Sequence, residues 1–133
     1  MKVLIGLMGL MVLIEGTWLF QNKPLEQSIA DGKEIYQDFC LQCHLDTGKG
    51  VSGVFPPLAQ SDYLLNDIDL SIKGIKYGMS GPITVNGEQY NGVMQNQGLD
   101  DVEIADVMNY VINSWGNKSK EVITPERVAS ITE

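Results

Sequence analysis

Cys40-Leu41-Gln42-Cys43-His44 decides how the rest of this chain reads. The two cysteines are the only ones among its 133 residues and His44 is its only histidine, so these ligand types are gathered in one short run. Covalent attachment of a haem needs two thiols that reach the two porphyrin vinyl groups and a neighbouring imidazole that reaches the iron on one face, and this spacing supplies both. Other chemistries fit the same residues less well. Structural zinc takes four ligands, and only His44 and the two cysteines are on offer. A thioredoxin-like pair belongs near a β-α-β pattern with its cysteines opening a helix, whereas here a helical pattern precedes the pair and a glycine-rich loop follows it. A cysteine nucleophile needs a histidine poised from elsewhere in the fold and oriented by a third group. As a disulfide, the pair would close too small a loop to restrain the unfolded chain appreciably.

Outward from the motif, the pattern is one of short helices joined by glycine-rich loops, without internal repeats, so the class is mainly α. The first helix begins near Pro24-Leu25 and runs to about Phe39, with Leu25, Ile29, Ile35, Tyr36 and Phe39 close to one face. Gly32 interrupts it, at a cost of up to about 1 kcal/mol relative to Ala. From Leu45 to Leu58 the residues Gly48, Gly50, Gly53 and Pro56-Pro57 exclude a regular helix, and the segment is expected to wrap something. Ser61 to Leu65 reads as a helical turn and Asp67 to Tyr77 as a longer helix, with Ile68, Ile72 and Ile75 inward and Gly78 as its stop. Ile83–Val85 and Glu88–Tyr90 flank Asn86-Gly87, which supplies the positive φ angles of a type I′ hairpin turn. Asn91-Gly92 then bends the chain before Val93-Met94. The clearest helix spans Asp101 to Trp115, capped by Asp100 with Glu103 three residues on, and closed by Gly116. Thr124-Pro125-Glu126 starts a last short helix through Ile131.

A haem iron held by His44 on one side needs a second axial ligand, and with no other histidine a methionine thioether is expected. Of six methionines, Met1, Met8 and Met11 lie in the first stretch of the chain. Met108 falls on the apolar stripe of the longest helix, where a thioether fills core space. Met94, fifty residues beyond His44, has enough chain before it to return on the opposite face, and Met79, next to Gly78, also has the reach.

Lys2 followed by the nearly unbroken apolar run Val3 to Phe20, interrupted by Glu15 and Thr17, reads as an export signal. Neither Glu15–Trp18 nor Gln21–Lys23 offers the small residues of a cleavage site. Residues 1–22 are therefore expected to form a hydrophobic signal or anchor helix, Val3 to Phe20 spanning roughly 27 Å with Trp18 at the far interface. That places residues 23–133, a single domain, in the periplasm or another extracytoplasmic space, tethered to the inner membrane. A domain of about 110 residues often needs a cofactor to complete its core. A formal charge of −8 excludes nucleic acid as a partner, since phosphate contacts need clustered Lys and Arg.

Over nearly all of residues 23–133 the chain resembles class I cytochrome c. Tyr90-Asn91-Gly92-Val93-Met94 is similar to the distal segment Tyr-Asn-Gly-x-Met of a subgroup of short bacterial members. The resemblance implies the class I cytochrome c fold, short helices wrapped around one covalently bound haem c, with a small β-hairpin before the distal methionine. It implies attachment through Cys40 and Cys43, His44 as proximal ligand, and Met94 ahead of Met79 as distal ligand. Pro56 looks like the family's proline whose carbonyl accepts the proton of the other ring nitrogen of the histidine, a contact that fixes the ring and raises its basicity. Gly32 and Tyr36 look like the glycine and aromatic that let the last helix cross the first, with Val107 and Tyr110 as partners. Gln95 departs from the proline that commonly follows the ligand methionine. The implied function is that of an electron carrier rather than an enzyme, shuttling single electrons between respiratory or periplasmic redox partners such as an oxidase, reductase or dehydrogenase. Two alternatives stay open: a haem subunit of a larger oxidoreductase, and a five-coordinate peroxidase or sensor if neither methionine binds iron.

Overall fold

The computed structural model describes residues 23–133. The expected signal or anchor helix of residues 1–22 lies outside the described residues. Among those described, no helix is long and apolar enough to cross a membrane.

The elements run α1 (Leu25–Phe39), α2 (Leu41–His44), α3 (Asp62–Asn66), α4 (Ile68–Tyr77), β1 (Met79–Ser80), β2 (Ile83–Val85), β3 (Glu88–Tyr90), β4 (Val93–Met94), α5 (Asp101–Val111) and α6 (Pro125–Ser130). The central packing is α1 against α5. Helix α1 buries Ser28, Gly32 and Tyr36, one residue per turn on a single face. At the crossing, a Cβ on Gly32 would stand 2.0 Å from the carbonyl oxygen of Asp106, so only glycine lets the two backbones meet there. Around this contact Tyr36, Ile72, Ile104, Val107, Met108, Ile112, Ile123 and Val128 form one core with Leu64, Ile68 and Val111.

Local chemistry fixes most of the boundaries. Asp100 accepts from the backbone N–H of Val102 and Glu103 while Glu103 reaches back to the N–H of Asp100, a complete capping box. Ser61, Asp67 and Thr124 cap α3, α4 and α6 by accepting from Leu64, Leu70 and Arg127. Asn86 and Gly87 take φ values of 49° and 82°, as a type I′ turn between β2 and β3 demands.

Three features depart from the sequence reading. Helix α5 stops at Val111 instead of continuing to Trp115. Asn113 Nδ2 donates to the carbonyl of Asn109 and Ser114 Oγ to that of Tyr110, so side chains take over the orphan carbonyls of the last turn. The attachment motif itself is a single helical turn, α2. And Met79-Ser80 pairs with Val93-Met94 in a second two-stranded ladder outside the hairpin.

Candidate functional site

A cavity of about 380 Å³ gathers side chains from almost every element of the fold. Cys40, Cys43 and His44 line it from α2, Pro56 and Leu58 from the following loop, Ile75 from α4, Met79 and Met94 from β1 and β4, and Val107 and Val111 from α5. All six residues that the sequence singled out for a haem therefore share one cavity, Met79 and Met94 alike. Met108 belongs to the core at 1% exposure and touches the same wall.

The turn that carries the motif is held on both sides. Tyr36 Oη, from the buried face of α1, donates to the carbonyl of Leu45 at 2.7 Å. Trp115 Nε1 donates to the carbonyl of Asp46 at 2.8 Å, and its ring packs with those of Tyr36 and Tyr110 at centroid distances of 5.1 and 5.5 Å. His44 is buried, and its Nδ1 lies 2.9 Å from the carbonyl oxygen of Pro56. A carbonyl only accepts, so Nδ1 carries the proton and Nε2 keeps the lone pair that a metal needs. Burial pushes the imidazole pKa below its ordinary value, with the Pro56 bond opposing, so the ring is neutral at neutral pH. Gly50 makes this contact possible: at φ +60°, a Cβ there would stand 2.2 Å from the Phe55 oxygen and 2.7 Å from the Pro56 oxygen.

Neither cysteine is in a disulfide, and both are partly buried. Burial, reinforced by the neighbouring Cys43, pushes the Cys40 thiol up to about 11. That is the reverse of the depressed value a reactive redox or nucleophilic cysteine requires. The fit to a haem is good on the donor set: two thiols for attachment, one imidazole with a free lone pair, two thioethers, and walls that are mostly apolar.

The rim of the cavity was not read from the sequence. Phe39, Val54, Phe55 and Val93 line it while remaining exposed, Val93 at 70%. Val51, Val54 and Phe55, apolar residues within a glycine-rich loop that is closed by a bridge between Val51 and Phe55, were the available signal. Glu88 adds a tie across the site, accepting from Ser52 Oγ in that loop at 2.5 Å and from Tyr90 Oη at 2.8 Å.

A family model of cytochrome c matches residues 29–115. Cytochrome c-552 of Thermus thermophilus is 41% identical over 96 residues, which cover 68% of this chain and 72% of that protein. The cytochrome c subunit of a quinone alcohol dehydrogenase from Gluconobacter oxydans is 27% identical over 103 residues, 75% of this chain and 21% of the subunit. The gluconate 2-dehydrogenase cytochrome c subunit of Pantoea cypripedii is 32% identical over 104 residues, 75% of this chain and 23% of the subunit. The chain thus spans under a quarter of these dehydrogenase subunits. A family match over more than half of the chain, joined to such identity with a relative covered for most of its length, makes the chain a member of the cytochrome c family, an electron carrier with covalently bound haem c and not an enzyme.

Proposed function

We propose that this cytochrome holds its haem through thioether bonds to Cys40 and Cys43, with His44 and Met94 as axial ligands, and shuttles single electrons between periplasmic or respiratory redox proteins. The observation that carries the reading is the neutral, buried His44, its Nδ1 proton spent on the Pro56 carbonyl, in one cavity with both cysteines and Met94. When bound, the haem supplies an iron that takes up and releases one electron. The chain's own residues set the conditions for that exchange. An imidazole and a thioether together leave no open position for oxygen or peroxide, and the thioether favours the reduced state. Ile75, Val85, Leu99, Val107 and Val111 line the cavity with apolar surface, which limits water and raises the potential further. The exposed apolar rim of Phe39, Val54, Phe55 and Val93 suits a small, brief docking contact with a redox partner. With a net charge of −8, encounter is steered by a basic patch on that partner.

The extracytoplasmic location follows from the same family reading, and residues 1–22 would serve as an inner-membrane tether. A mature N-terminus near Asn22 would leave the protein free in the periplasm. The dehydrogenase cytochrome subunits among the relatives favour a second arrangement, a haem subunit bound within a larger oxidoreductase, which would purify as a stoichiometric complex in mild detergent.

Optical spectroscopy tests the ligation directly. The oxidised protein should show the near-infrared thioether-to-iron charge-transfer band, and the reduced protein should resist carbon monoxide at neutral pH. Rapid carbon monoxide binding would point instead to a five-coordinate sensor or peroxidase site.

A further inference from the structure

Met79 and Met94 are register partners in the antiparallel pair of β1 and β4, and residues directly opposite in such a pair project to the same face. Both line the cavity that contains Cys40, Cys43 and His44. Their far ends converge on α4: a Cβ built on Gly74 would stand 3.1 Å from Met79 Sδ and 3.7 Å from Met94 Cε. Two unbranched, polarisable thioethers therefore share one stretch of wall, each on a flexible side chain able to re-aim its sulfur by rotation at χ1 and χ2.

The backbones that carry them are held differently. Met79 follows the end of α4 after a single residue, Gly78. Met94 ends a strand of two residues whose one ladder partner is β1, and it leads into Gln95, Asn96, Gln97 and Gly98, all exposed and in neither helix nor strand. One sulfur is anchored beside a helix, and the other stands at the start of an open loop.

From this pairing, and resting on the axial reading above, we infer that Met79 is a reserve axial ligand. When the Met94 thioether leaves the iron, Met79 Sδ takes its position and the iron stays closed to oxygen and peroxide. One iron–sulfur bond breaks and another forms, with no electron or proton exchanged.

The test compares holo wild type, Met79→Leu, Met94→Leu and the double variant, leucine being chosen to conserve volume. The readouts are the near-infrared band of the oxidised form, the midpoint potential, and carbon monoxide affinity of the reduced form. Met79→Leu should keep the thioether band but lose part of wild type's resistance to carbon monoxide, because a departed Met94 then leaves the iron open. Met94→Leu should keep a thioether band, with an altered midpoint, and bind carbon monoxide about tenfold more weakly than the double variant, as when only about a tenth of the iron is open. The double variant should lose the band. If Met94→Leu already loses the band and binds carbon monoxide as the double variant does, the reserve role is overturned and Met94 ligation stands. If Met79→Leu loses the band while Met94→Leu leaves it unchanged, Met79 is the resident ligand and both assignments fall. Absence of the band in wild type would overturn thioether ligation itself.

Discussion

The Pro56 carbonyl reaches His44 only because residue 50 has no side chain, since a Cβ there would collide with the oxygens of both Phe55 and Pro56. Gly50→Ala should therefore displace the acceptor of the His44 Nδ1 proton and cost about 1–3 kcal/mol in stability, the usual range for forced overpacking. Losing that bond lowers the basicity of the imidazole, so the midpoint potential should rise in a potentiometric titration. Pro56→Ala, which keeps the carbonyl, should shift it less. A midpoint unchanged in Gly50→Ala despite lower stability would deny the bond any tuning role. At this scale legibility followed contiguity. Cys40, Cys43 and His44 could be read directly because their chemistry sits in one run of sequence. The partner of His44 is a backbone atom twelve residues away, and Pro56 entered only through resemblance to a family. The pairing of Met79 with Met94 left no trace, because a two-residue strand is too short to show a period.

Between elements, the loop after the motif and the β2–β3 hairpin are joined through one carboxylate. Ser52 Oγ and Tyr90 Oη both donate to Glu88, and these bonds, that of Ser52 foremost, hold the Glu88 carboxyl below its ordinary 4.5. A carboxylate depressed by folding stabilises the native state above its unfolded pKa, and that contribution fades as pH falls through the folded value. Denaturant midpoints of wild type and Glu88→Gln should thus differ at neutral pH, begin to converge as the pH falls below 4.5, and meet below the folded value. A gap that persists unchanged into acid would show that the charge at Glu88 contributes nothing. Helix starts were legible because their caps are local: Asp100 with Glu103, Ser61, and Thr124 before Pro125. The end of α5 was not. It depends on Asn113 and Ser114 folding back onto carbonyls of the preceding turn, whereas the apolar pattern continues through Ile112 toward Trp115.

Taken whole, the molecule places the loop after the motif and both strand pairs around the cavity that holds Cys40, Cys43 and His44, with α1 and α5 crossing at Gly32. The mainly α architecture could be anticipated because each helix carries its own periodicity and caps. The convergence of residues 39 to 111 on one space could not, since it arises from packing between distant segments. Electron transfer by this molecule depends on a haem bonded to Cys40 and Cys43. Trypsin cuts after Lys33 and Lys49, releasing Glu34–Lys49 with the whole motif. Mass spectrometry of the digested, matured protein should find that peptide heavier by one haem, with neither thiol available to an alkylating reagent. Recovery of the peptide with both cysteines alkylated, and the pigment extracted into acidified organic solvent, would contradict the account.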